Sequence, residues 1–181
     1  ELWSTGRRFP RRTDLLIVPV SPGLQMVAGS SLWARGVSAD RAQRDAQQHA
    51  PMDPGEAIIV SGARYRFRNT ALAVVMDSQK RYDAGWIRAA VRRSVELAGT
   101  GKVRSVMIPD WTDDLVRQPR KVDADLRRRT ASFVAATLMD AVRDLDGQVH
   151  VVRFWVRDPA LVDAYRGQMD QPVTTARTVA A

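Results

Sequence analysis

Cysteine is absent from this 181-residue sequence, which excludes a disulfide scaffold, thiolate-bound zinc or iron, and thiol catalysis. Histidine is scarce: His49 and His150 are the only two. A three-histidine metal site and a histidine-rich acid–base centre go with it, and neither histidine has an acid or nucleophile beside it in sequence to suggest a Ser-His-Asp arrangement. No apolar run approaches the roughly 18 residues that cross a bilayer as a helix. The chain begins at Glu1 with no signal-peptide pattern, so it reads as a fragment or processed product and is expected in the cytoplasm. Lysine is rare as well. Lys+Arg total 28 against 20 Asp+Glu, a net charge of +8, yet only Lys80, Lys102 and Lys121 are lysine. Arginine grips phosphate or carboxylate with a two-pronged fork, so an Arg-rich basic chain favours anionic ligands. GC-rich codon usage writes the same bias with no functional content, and net charge speaks to steering and solubility rather than to fold.

What is present is ordinary globular composition, 45% apolar and 27% charged, at a length that fits one domain with its own core. Asp14–Val20 is a short, nearly continuous apolar run, the signature of a strand buried on both faces, and Pro19 is expected to end or bend it. Ser21-Pro22-Gly23 is a turn. Ser30 and Ser31 open a short helix through Val37, and Ser38 and Asp40 open another through Gln48. Glu56–Ser61 reads as a strand. Gly62–Arg68 alternates in the strand period, Asn69 marks a turn, and Thr70–Met76 is a buried strand. Asp83–Ala98 carries apolar residues at helical spacing, stopped by Gly99 and Gly101. Val103–Ile108 is the next strand, followed by the polar loop Pro109–Asp114. The longest helix starts near Asp123. Gln148–Val156 is the last strand and Pro159–Arg166 the last helix.

Alternation of strands and helices predicts a three-layer α/β/α sandwich around a mixed, mostly parallel sheet. Residues 14–168 form its single domain, 1–13 an N-terminal extension or edge strand, and 169–181 a loose tail. Ligands of such sheets bind beyond the carboxyl ends of the strands, which singles out the loops after Val20, Ile108 and Val156.

Three strings, in order, resemble a macro domain, the module best known for binding ADP-ribose. Asp14-Leu-Leu-Ile-Val-Pro-Val-Ser-Pro22 is similar to the strand that runs into Asn-Ala-Ala-Asn in that family. Pro54-Gly55-Glu56-Ala-Ile-Ile-Val-Ser61 is similar to its Gly-Glu-Ala-Val-Val-Thr strand. Val103-Arg-Ser-Val-Met-Ile-Pro109 is similar to the strand ahead of its second ligand loop. The resemblance spans roughly Asp14 to Gly167. It implies a nucleotide-like ligand, ADP-ribose or a relative, held at the rim by Ser21, Gly23, Gly29, Ser30, Ser31, Asp110, Trp111, Thr112, Trp155 and Arg157, with no cofactor and no metal. Trp155 falls where the family stacks the adenine on an aromatic.

The departures bear on function. Pro22 stands where the family has its second Asn, which helps to hold the ribose. Gly23-Leu-Gln-Met-Val-Ala-Gly29 has two glycines where the family wraps the pyrophosphate with three. The second loop, Asp110–Pro119, has no glycine, and shortly before the first buried strand, where the family grips the adenine with an Asp, this chain reads Gly6-Arg7-Arg8-Phe9, with no acid from there until Asp14. Binding is therefore expected over hydrolysis. If the chain is an ADP-ribosyl or related phosphoester hydrolase after all, Asp110 or Asp113 is the candidate base. Asp110, Asp113 and Asp114 also serve as turn and helix caps, and their charge repels a diphosphate unless Arg117 and Arg120 or a metal screen it. Ser30 and Ser31 suit a helix N-terminus facing an anion or plain N-capping equally. Arg127-Arg-Arg129 sits in the first turns of a helix, where positive charge opposes the macrodipole, so an anionic partner or a solvated basic face is expected there. The alternative function is a basic interaction module for nucleic acid or an acidic protein, with no small-molecule pocket. In Arg64–Arg68, however, alternation sends Tyr65 and Phe67 to one face and the arginines to the other. The small-molecule reading needs an open hollow at the rim, not plugged by Leu24, Met26 or Trp111.

Overall fold

The computed structural model describes residues 1–4, 13–26, 39–60, 67–99, 101–116, 123–145 and 147–170. The expected helix from Ser30, most of the Arg64–Arg68 alternation, Gly29, Ser30, Ser31, Arg117, Arg120 and the tail lie outside them. The strands are β1 (Leu2–Ser4), β2 (Thr13–Val20), β3 (Ala57–Val60), β4 (Phe67–Val74), β5 (Ser105–Pro109) and β6 (Val151–Val156). The helices are α1 (Ala39–Gln47), α2 (Ala84–Gly99), α3 (Thr112–Leu115), α4 (Ala124–Arg143) and α5 (Val162–Met169), the last preceded by a 3₁₀ turn at Pro159–Leu161. The described strands make one sheet in the order β1-β6-β5-β2-β4-β3. Every pairing is parallel except β3 with β4, which is antiparallel. The mixed, mostly parallel sheet is the expected one.

Period-two alternation builds the two cores. On one face, Leu15 and Ile17 of β2, Ala71 and Ala73 of β4, and Val106 and Ile108 of β5 join Ile87, Val91 and Val95 of α2, Val134 and Leu138 of α4, and Tyr165 of α5. On the other, Leu16, Val18, Val20, Leu72, Val74 and Met107 meet Ala42 and Ala46 of α1. Each fully buried aliphatic side chain contributes about 1.5–3 kcal/mol, so a strand apolar on both sides is stable only with helices on both sides. Helix ends follow local chemistry. Asp83 Oδ1 accepts from the Trp86 N–H at 2.9 Å and Asp123 Oδ1 from the Leu126 N–H at 2.8 Å. Gly99, at φ +99°, stops α2.

Two local expectations are corrected. Asn69 is not in a turn; it lies inside β4, paired with Leu15 of β2. A ladder running from Thr13 to Val20 along β4 outweighs the turn preference of one residue. Pro19 does not end β2 either, because it sits beyond the point where β5 stops pairing, so its missing N–H costs no ladder bond there.

Candidate functional site

The chain leaves β2 toward α1 and β3 at one edge of the sheet, and leaves β5 toward β6 on the other side. β2 and β5 are therefore the neighbours between which the winding reverses, the place where open α/β sheets form a crevice. Their ladder is short. It pairs only Leu15 with Val106 and Leu16 with Met107, although both strands run on. At the opposite end the two strands are clasped: Asp14 Oδ2 accepts from the backbone N–H groups of Arg104 (3.0 Å) and Ser105 (2.9 Å) and from Ser105 Oγ (3.0 Å). Burial pushes the Asp14 carboxyl up, but the Ser105 and Arg104 hydrogen bonds outweigh it and hold it below the ordinary value. The pair is clasped at one end, and its ladder stops short of the rim.

On the β5 side, the Asp110 N–H donates to the Trp155 carbonyl at 2.9 Å, which ties the loop to the end of β6. Asp110 Oδ1 accepts from the Thr112 N–H (3.0 Å), Thr112 Oγ1 (2.6 Å) and Tyr165 Oη (2.8 Å). Desolvation raises the Asp110 carboxyl above its usual range against the pull of these bonds. Tyr165 is fully buried, and desolvation together with the Asp110 charge pushes its phenol well above the ordinary value. Trp111 and Thr112 are also fully buried. Trp111 lies in the core cluster of α2, α4 and α5, and its Nε1 has no hydrogen-bond partner among the described residues. Trp111 therefore packs in the core beneath the loop, and Thr112 is buried at the start of α3.

Asp113 and Arg127 were unconnected in sequence and are joined in space. Arg127 Nε donates to Asp113 Oδ1 at 3.0 Å and Nη2 to Oδ2 at 3.1 Å, while Nη1 bonds Asp158 Oδ2. Asp158 Oδ1 also caps the 3₁₀ turn through the Ala160 N–H at 2.9 Å. That backbone bond first, and Arg127 with it, outweigh burial and hold the Asp158 carboxyl below its ordinary value. Of the three arginines at 127–129, Arg127 is met by two carboxylates of the chain itself, while Arg128 and Arg129 are exposed, as a solvated basic face would be. Both oxygens of Asp113 accept from Arg127.

On the β2 side, the Leu24 N–H closes a turn on the Ser21 carbonyl at 2.9 Å, and the Met52 N–H donates to the Pro22 carbonyl at 3.1 Å. Gly23 is exposed and has no left-handed backbone; the residue at positive φ is Leu24, at +52°. A left-handed non-glycine residue costs roughly 1–2 kcal/mol, and burying the leucine offsets it by about 1.5–3 kcal/mol. Leu24 and Met26 both enter the cluster under α1. Their backbone is held by a side chain that sequence reading passed over. Gln43 of α1 accepts from the Met26 N–H through Oε1 at 2.7 Å and donates from Nε2 to the Leu24 carbonyl at 3.0 Å. All three bulky rim residues, Leu24, Met26 and Trp111, are therefore absorbed into the cores on either side of the sheet.

Trp155 is half-buried and packs on the Leu24–Met26 side. Its neighbour Phe154 takes the contact with Tyr165 across the sheet, ring centroids 5.9 Å apart. Arg157 is exposed, with its guanidinium carbon 5.9 Å from the Trp155 ring centroid. Ser21, Gly23, Asp110, Trp155 and Arg157 thus stand at the carboxyl ends of β2, β5 and β6, while His49 and His150 are exposed elsewhere. Phe67 is buried and Arg68 exposed, so the described part of the Arg64–Arg68 segment separates its aromatic from its cation. Among the described residues no cluster of His, Asp or Glu is placed to hold a metal ion. No described helix is long and apolar enough to cross a membrane. Gln43 and Asp158 went unnoticed in sequence, although the Asp-Pro step at 158–159 is a helix-start signal; Tyr165 carried no polar role there, and Arg127 was visible only as a charge out of place.

No protein-family model and no curated protein matches the chain. Solved structures do. It is similar to an Oceanobacillus iheyensis macrodomain with ADP (15% identity, 87% of this chain and 83% of that one, TM-score 0.66). It is similar also to a Trypanosoma brucei macrodomain in complex with ADP-ribose (12% identity, TM-score 0.65), covering 87% of this chain and 64% of that longer one. A third is the macro domain of ganglioside induced differentiation associated protein 2 (14% identity, 93% and 81% covered, TM-score 0.62). With its winding reversal between β2 and β5 and this sheet order, the chain has the macrodomain fold, in a sequence far diverged from these neighbours.

Proposed function

We propose that this chain is a binding module for ADP-ribose or a related nucleotide, seated at the rim between β2 and β5. The observation that carries the reading is the short ladder between these two strands beside a half-exposed tryptophan, Trp155, and a basic side chain, Arg157, on a fold whose solved neighbours hold ADP or ADP-ribose. A partly exposed indole offers a stacking face to a base, and Arg157 offers a fork to a phosphate. Gly29, Ser30 and Ser31, outside the described residues, are proposed as further ligand contacts.

Binding is favoured over hydrolysis by the departures in the loops, above all Pro22 where the resembled family has the Asn that helps to hold the ribose. A general base needs a free lone pair within reach of a water. Asp110 keeps Oδ2 outside its described hydrogen bonds, all of which fall on Oδ1, so it stays the candidate base if the chain hydrolyses, whereas Asp113 pairs both oxygens with Arg127. The same pairing answers the repulsion expected of a pyrophosphate beside this loop, since Arg127 offsets part of its negative charge.

Calorimetry with ADP-ribose tests the reading: saturable micromolar heat is expected. Trp155→Ala is expected to weaken it by about 1–3 kcal/mol, five-fold or more. No heat at millimolar ADP-ribose sinks the reading. Nucleic-acid binding that weakens steeply with salt, in its place, would favour the basic interaction module.

A further inference from the structure

We infer that Arg127 is a positioning residue for the rim: it locks the β5–α3 loop and the β6–α5 turn, which carry Asp110 and Arg157, into one arrangement. The inference rests on the proposed ligand site at that rim. Three separate parts of the chain meet at one guanidinium. Arg127 belongs to the first turn of α4, Asp113 to α3, and Asp158 to the turn after β6. The side chains are 28%, 37% and 29% exposed, so the cluster is sheltered without being sealed. A guanidinium is planar and delivers its N–H groups in fixed directions, so gripping one carboxylate with two nitrogens and another with the third sets distances and angles as well as charge balance.

Besides shared burial of Leu115 and Leu161 in one core, two other described hydrogen bonds join this neighbourhood. The Asp110 N–H reaches the Trp155 carbonyl, behind Asp158 in the chain, and Tyr165 reaches Asp110 from α5. Neither of these bonds touches Asp113 or the 3₁₀ turn. Without Arg127, Asp113 and Asp158 become two carboxylates facing each other across the space it filled, and like charges drive the two segments apart. Arg128, next along, bonds only the exposed Asp125 of its own helix and provides a matched control.

Amide hydrogen exchange and ADP-ribose calorimetry on Arg127→Gln, Arg127→Lys and Arg128→Gln test this. Arg127→Gln is expected to speed exchange in 110–116 and 157–161 at least about ten-fold, leaving β2 and α2 unchanged. ADP-ribose affinity is expected to fall about ten-fold. Arg127→Lys keeps the charge but not the fork and should recover only part of both effects; Arg128→Gln should change neither. Unchanged exchange in Arg127→Gln overturns the inference, as does faster exchange with wild-type ADP-ribose affinity. If wild-type protein binds no ADP-ribose, the reading of the site falls, while exchange still decides whether Arg127 holds the two segments. Should Arg127→Gln fail to fold, Asp158→Asn and Asp113→Asn each cut one arm. Each must loosen its own segment, and the inference fails if neither does.

Discussion

Asp110 accepts hydrogen bonds from Thr112 and Tyr165 while burial works against its charge. Its folded carboxyl holds a proton more tightly than the unfolded chain does. The sign follows from linkage: ionisation costs the fold, so this residue's contribution falls as pH rises from the unfolded value, about 3.9, through the raised folded one. Asp110→Asn keeps an oxygen for Thr112 and Tyr165 but carries no charge. It is expected to equal or exceed wild type in urea stability at pH 7, with a flatter profile from pH 4 upward. Asp110→Ala is expected to lose about 1–3 kcal/mol, because it strands the buried Tyr165 hydroxyl. Equal losses in both variants would refute this account.

Gln43 shows how one element shapes another. It sits on α1, yet its amide satisfies an N–H and a carbonyl of the loop after β2, fixing the course of Leu24 and Met26 into the core. Gln43→Leu is expected to cost about 1–3 kcal/mol in thermal or urea unfolding, for two backbone groups left unpaired, and to raise exchange at Met26 first. A loss below a few tenths of a kcal/mol would mean water replaces the amide without penalty. Elements of this kind were legible where apolar periodicity is strong. β2, α2 and α4 were foreseen within a few residues, since burial on one or both faces leaves a repeating pattern. Asn69 and Pro19 were misread because their placement depends on what pairs beside them.

At the scale of the whole molecule, β2 and β5 are clasped at one end by Asp14, and their ladder stops short of the rim at the other. Asp14 and Asp158 both have depressed carboxyls, for hydrogen-bonding reasons in each case. Their stabilisation is fully present above the unfolded value of about 3.9 and is lost as pH falls through the folded ones. Acid unfolding is expected to set in below about pH 4, and Asp14→Asn should flatten stability across that window in chemical denaturation. A profile unchanged from wild type would show that the clasp carries none of the acid sensitivity.

The sequence alone determined the alternation of strands and helices, the exclusion of thiol chemistry and of a three-histidine metal site, the resemblance in three ordered strings, and the rim as the place to look. These depend on composition and on short-range periodicity, which a single chain displays. Only the tertiary structure decided which polar groups meet. Arg127 with Asp113 and Asp158, Gln43 with the loop after β2, and Tyr165 with Asp110 are separated in sequence by 14 to 55 positions. It also decided that Trp111 lies in the core while Trp155 stays half-exposed. Both are tryptophans beside strand ends, and nothing local tells them apart; the difference is which face of the sheet each meets and whether a helix covers it.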